Sequence, residues 1–182
     1  MSRFNDKYIK VAVPALKKEF GYTNVHQIPR ITKVVVSSGV GRATGDAKHL
    51  ELVNATLTTV TGQKPVTTVA KKSIAGFKLR DGNKIGVTVT LRGAKAEDFL
   101  DMVVSVVLPR IRDFRGISDA AFDPTGNYSL GLPDQSIFPQ IPFEDTNVTH
   151  GMQINIVTTA KSAAEGKALL KLMGFPFTRR DA

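Results

Sequence analysis

The chain has 182 residues, enough for one domain with a sizeable core, and no cysteine, which excludes disulfides, thiolate metal sites and thiol nucleophiles together. Its net charge of +9 is unevenly spread. Residues 1–92 hold 16 Lys and Arg against 5 Asp and Glu, whereas residues 93–182 hold 9 against 11, so a basic half that suits a polyanion precedes a near-neutral one.

No apolar run approaches the roughly 18 residues of a membrane span. Residues 1–10 lack the apolar core of a secretory signal, so the chain reads as cytosolic with no membrane partner. Residues 4–20 place Tyr8, Val11, Leu16 and Phe20 near one helical face, with Pro14 set to kink or split that helix and Gly21 to end it. Pro29–Ser37 reads as a strand, and Ser38–Gly45 as the glycine-rich turn after it. Asp46 is placed to cap a helix carrying Leu50, Val53, Leu57 and Val60, which ends at Gly62. Pro65–Ala70 is a second strand. Lys84–Arg92 is a third, with Ile85, Val87, Val89 and Leu91 in strict alternation. Between them, Lys71–Asn83 is a long basic loop with one apolar patch, Ile74–Phe77.

Lys95–Leu108 is expected to be an amphipathic helix closed by Pro109, and residues 110–150 irregular with short strands. Met152–Thr159 alternates as a strand, Ser162 caps a last helix reaching Met173, and Gly174–Phe177 closes the fold. Strands and helices mix without βαβ alternation. The expected class is therefore α+β: a mixed, largely antiparallel sheet, helices packed mainly on one face, the other face exposed for RNA, all in a single domain spanning 1–182.

Signs of catalysis are thin. Gly39-Val-Gly41 with Gly45 has the wrong spacing for a dinucleotide loop, and no acid closes a following strand. Glu144-Asp145 is the one adjacent acidic pair, and His26, His49 and His150 lack ligand spacing. The chain reads as no enzyme, with no cofactor and no metal.

Residues 62–93 carry a better mechanism. Lys64, Lys71, Lys72, Lys78, Arg80, Lys84 and Arg92 stand there against Asp81 alone. These cations can neutralise phosphates, while Gln63, Thr67, Thr68, Ser73, Thr88 and Thr90 can donate to phosphate and ribose. With Ile85, Val87, Val89 and Leu91 toward a core, Thr88, Thr90 and Arg92 point the other way. An ordinary solvated face is the competing use, since threonine simply favours strands. Phe77 has two uses, stacking on a base or anchoring the loop. Arg110, Arg112 and Arg115 can contact RNA or protein, or pair internally with Asp113.

The run Leu57-x-x-Val-Thr-Gly-Gln-x-x-Val-x-Thr-x-Ala-Lys-x-Ser73 resembles the signature of the bacterial large-subunit ribosomal protein number five family, which binds 5S rRNA. Ile28-Pro-Arg30, Val89–Gly93, Leu108–Gly116, Gly126–Ser129 and Gly174–Phe177 agree in the same order, over almost the whole chain. The resemblance implies a structural protein of the central protuberance that binds 5S rRNA and helps attach it to the large-subunit rRNA. It further implies that the loop between the second and third strands reaches P-site tRNA. Another surface would meet a small-subunit head protein in an intersubunit bridge, and no homo-oligomer is expected.

By that resemblance Gln63, Lys64 and Thr90 are 5S rRNA contacts, within an rRNA-binding set that also holds Arg30, Lys33, Ser37, Thr67, Thr88 and Arg92. Lys71, Lys72, Ser73, Phe77, Lys78 and Arg80 fall on the tRNA-facing loop. This chain departs from the pattern at Ser37-Ser38, where asparagine is usual, at Ala75-Gly76, at Asp123-Pro-Thr-Gly126 and in the tail Thr178-Arg-Arg180.

Overall fold

The computed structural model describes residues 2–41, 47–142 and 149–178. The expected Asp46 cap, Gly45, the Glu144-Asp145 pair and Arg179-Arg180 lie outside the described residues. Five strands, β1 (Ile31–Gly39), β2 (Val66–Val69), β3 (Lys84–Leu91), β4 (Tyr128–Leu132) and β5 (Met152–Thr158), form an antiparallel sheet in the order β2-β3-β1-β5-β4. Burial alternates along them: Val34, Val36 and Ser38 on β1, Val87, Val89 and Leu91 on β3, and Met152, Ile154 and Ile156 on β5 are all buried. A sheet packed on one side requires that period of two. The class is α+β, as the sequence predicts.

The chain divides into two compact units. The first comprises Met1–Val34, Arg92–Leu130 and Asn155–Ala182; the second comprises Val35–Leu91 and Gly131–Ile154. In the first, α1 (Arg3–Lys7) runs through a π-helical stretch, Tyr8–Ala12, into α2 (Val13–Phe20). Pro14 has no N–H for a bond back to the preceding turn, and the wider turn before it, closed by Val13 N–H on the Tyr8 carbonyl, absorbs that loss. The helix therefore swells at the proline without splitting.

The same device corrects the second proline expectation. Pro109 does not close its helix at Leu108: α4 (Ala94–Met102) continues through a π-helical stretch, Val103–Val107, into α5 (Leu108–Arg110). Leu108 N–H reaches the Val103 carbonyl, five residues back, so the proline again follows a wider π turn.

The last helix, α6 (Ala163–Met173), begins as predicted. Ser162 accepts from Glu165 N–H at 3.4 Å, and the Glu165 carboxylate accepts from Lys161 N–H at 2.7 Å. Gly174 at φ 99° ends it, and Lys7 Nζ donates to the Met173 carbonyl at 2.8 Å.

Ahead of β4, Asp123 organises a tight turn. Its carboxylate accepts from Thr125 N–H and hydroxyl and from Asn127 N–H and Nδ2, at 2.7–3.0 Å. Partial burial pushes this carboxyl up, but the four donors outweigh it and hold it below the ordinary Asp value of 3.8. Its contribution to stability is then complete above that value and is lost as pH falls through the lower folded value. Asp123→Asn should therefore melt below the parent at pH 7, with the gap narrowing at pH 3 in thermal denaturation; a gap that widens in acid contradicts this.

In the second unit, α3 (Ala47–Thr61) buries Leu50, Val53, Leu57 and Val60, the predicted stripe, and Gly62 at φ 61° ends it. His49 and His150, 101 positions apart, meet edge to face with ring centroids 6.3 Å apart. The backbone N–H of buried His150 donates to Gln135 Oε1 at 2.7 Å.

Candidate nucleic-acid interface

β2 and β3 form a hairpin in which Val66 faces Thr88, Thr67 faces Val87 and Thr68 faces Gly86. Opposed residues of an antiparallel pair share a side of the sheet. Val87 is buried, so Thr67 lies on the core side, away from Thr88 and Thr90. Val66 and Thr68 instead join Thr88 on the outer face, where Val66 is 66% exposed. Ser37, between buried Val36 and Ser38, belongs to the outer face as well.

That face is built closely. A side chain on Gly86 would place its Cβ 2.9 Å from Thr68 Oγ1 and 3.0 Å from the Ser38 carbonyl, so any larger residue there would have to push both aside. Thr88 Oγ1 donates to the Val36 carbonyl at 3.4 Å, and Gln63 Nε2 donates to the Thr90 carbonyl at 3.2 Å. Two residues 27 positions apart are thus brought together, with the Gln63 amide nitrogen engaged and its oxygen left as an acceptor for a ribose hydroxyl. Lys64 beside it is exposed. Ser37, Gln63, Lys64, Thr88 and Thr90 therefore gather in the second unit, whereas Arg30, Lys33 and Arg92 belong to the first. Arg30 and Arg92 are exposed and Lys33 is half-buried.

The basic loop is an ordered arm. Ala70 N–H donates to the Asn83 carbonyl at 2.8 Å, Gly82 N–H to the Ala70 carbonyl at 3.0 Å, and Ile74 and Leu79 exchange bonds of 2.9 and 3.1 Å. A 3-10 turn, Ala75–Phe77, forms the tip, and Lys78 at φ 51° reverses the chain. Ser73 Oγ accepts from Asp81 N–H at 2.9 Å, so this serine serves the arm's own backbone. Backbone holds the arm, which leaves Lys71, Lys72, Lys78 and Arg80 exposed. Ile74 is 45% exposed and Phe77 76%. Such exposure is at odds with an anchoring role for Phe77 and leaves its ring to a partner.

Arg110, Arg112 and Arg115 are exposed around a turn where Asp113 takes φ 54°. Among the described residues no ion pair joins Asp113 to them, so the internal network is not formed.

Sequence reasoning missed Val66 on the outer face. Strand pattern alone could not find it, because register decides which of Val66 and Thr67 points outward.

Two family matches cover most of the chain: "Ribosomal protein L5" over residues 24–80, and the C-terminus of the same ribosomal family over residues 84–177. The chain belongs to the ribosomal protein L5 family. It is 55% identical over 170 residues to large ribosomal subunit protein uL5 of Microcystis aeruginosa, covering 93% of this chain and 95% of that one. It is 54% identical over 177 residues to the protein of that name from Citrifermentans bemidjiense, covering 97% and 99%. L5 family membership makes the chain a structural, non-enzymatic constituent of the cytoplasmic ribosome, working in translation.

Proposed function

We propose that this L5 family chain binds 5S rRNA and helps attach it to the large-subunit rRNA in the central protuberance. In this reading the outer face of β1 and β3, with Gln63, Lys64, Thr88 and Thr90, holds 5S rRNA. The arm reaches P-site tRNA through Lys71, Lys72, Phe77, Lys78 and Arg80. Arg110, Arg112 and Arg115 serve a further RNA or protein contact, and a surface of the 93–182 half meets a small-subunit head protein.

The observation that carries the reading is the arm, an ordered β-hairpin extension whose cations and aromatic tip all face solvent. Flexible Lys and Arg stems supply phosphate neutralisation, and a flat ring accepts a base or sugar face. An arm built this way makes no core of its own, so these exposed side chains have no structural use.

Alanine at both Lys71 and Lys72 should leave affinity for isolated 5S rRNA within about twofold, while P-site tRNA affinity of reconstituted ribosomes falls about tenfold. Equal losses in the two assays, or an unchanged tRNA affinity, would sink the division of labour. Footprinting of 5S rRNA by the parent chain should show one site that survives excess competitor tRNA; salt-labile protection spread over any RNA would sink the 5S assignment itself.

A further inference from the structure

A cleft of about 510 Å³ opens in the first unit. Phe4, Tyr8, Leu100 and Met173 line it, with Asn5 and Arg30 among its polar groups. Phe4, Leu100 and Met173 are buried, and Tyr8 is tied down by its hydroxyl, which donates to the Pro29 carbonyl at 3.2 Å. The apolar walls are therefore preformed. Among the described residues, neither the Asn5 carboxamide nor the Arg30 guanidinium makes a hydrogen bond; only their backbone N–H groups donate, to Ser2 Oγ and Thr159 Oγ1. Glu97 also lines the cleft and accepts the Ser2 hydroxyl on one carboxylate oxygen.

We infer that this cleft receives an unstacked purine base of ribosomal RNA, an inference that rests on the rRNA-binding reading above. Its volume falls within the roughly 300–1,000 Å³ of small-ligand sites, where apolar walls carry a few convergent polar groups. Proteins read single-stranded RNA in this way, packing a splayed base on aromatic side chains and bonding its edge. A carboxamide offers one donor and one acceptor side by side, a pattern that the edge of any base complements, and the cleft's volume of about 510 Å³ suits the larger, two-ring purine. The Glu97 carboxylate repels phosphate and accepts from an exocyclic amine, so the base enters and the phosphate stays at the mouth. Arg30 is the cation for that phosphate. The unit as a whole holds 17 Lys and Arg against 10 Asp and Glu, which favours a polyanion over an apolar protein segment. A protein aromatic would fill the walls but leave Asn5 and Arg30 unmatched.

Ultraviolet cross-linking of assembled large subunits, followed by mass spectrometry, should find a purine nucleotide joined to the peptide carrying Asn5 and Tyr8. Reagents that attack the Watson–Crick edge of adenine and guanine should show one purine protected by the parent chain. Its reactivity should rise about tenfold with Asn5→Leu, and rise also with the surface change Arg30→Gln, which leaves the apolar walls intact. A cross-link to protein, or no purine responding to either variant, overturns the inference. If the parent protects 5S rRNA but no purine answers to the cleft, this assignment alone falls. If the parent binds no RNA, the broader reading falls with it.

Discussion

Gly166→Ala should lower the melting temperature of this protein by about 8 °C, although alanine favours a helix interior over glycine by roughly 1 kcal/mol. Gly166 lies in the first turns of α6, against the turn at Gly126. A Cβ there would meet the Gly126 Cα at 2.8 Å and its carbonyl carbon at 2.9 Å. Those atoms are backbone, held in turn by Thr158, whose hydroxyl donates to the Gly126 carbonyl at 2.9 Å. Gly126 itself sits at φ 81° in a turn that its own N–H closes on the Asp123 carbonyl at 3.1 Å, which leaves it little room to retreat. Overpacking usually costs about 1–3 kcal/mol and more against backbone that cannot move; about 4 kcal/mol here, less the roughly 1 kcal/mol of helix propensity, leaves about 3 kcal/mol, which for a chain of this size corresponds to the stated shift. Differential scanning calorimetry decides the sign. A rise in melting temperature would show that the turn yields and that helix propensity rules the site.

Gln63→Glu should weaken 5S rRNA binding on the order of 100-fold while changing the melting temperature by less than about 3 °C. The substitution keeps the shape of the side chain and removes the amide that donates to the Thr90 carbonyl. A carboxylate is then left beside a carbonyl on the face proposed to meet phosphates, with Lys64 as its nearest sequence neighbour. Half-burial limits the folding cost, because the charge can turn to water. Filter binding at fixed salt, read beside a melt, separates the effects. A collapse in stability with a parallel loss of binding would mean that the Gln63–Thr90 link holds the hairpin and does no recognition.

Much of this was legible in the amino-acid order. The alternation of Val87, Val89 and Leu91, the Ser162 cap and the stripe from Leu50 to Val60 follow from periods of 2 and 3.6, which local sequence states directly. Pairing register is a different matter. Thr67 and Val66 are chemically suited to either side, and the opposition of Val66 to Thr88, set across the arm, decides between them. The arm's order was hidden for a related reason: its bonds, such as Ala70 to Asn83, join residues that carry no strand pattern. Nor could the cleft be read in advance. Its walls come from α1, the start of β1, α4 and the end of α6, and each contributes residues that look like ordinary core.

The two prolines also change how residues are counted along their helices. An α-helix turns about 100° per residue, and a π turn, with its wider ring, about 80°. Phe4 and Leu16 are both buried, yet 12 residues of pure α-helix would leave them roughly 120° apart around the axis. Five residues of slower rotation recover roughly 100° of that and return both to one stripe. Ala96 and Leu108, also buried and also 12 apart, are realigned in the same way by Val103–Val107. Each π stretch thus acts as a one-residue phase insertion. A relative that lacked either proline would need one residue fewer on that helix to present the same apolar face.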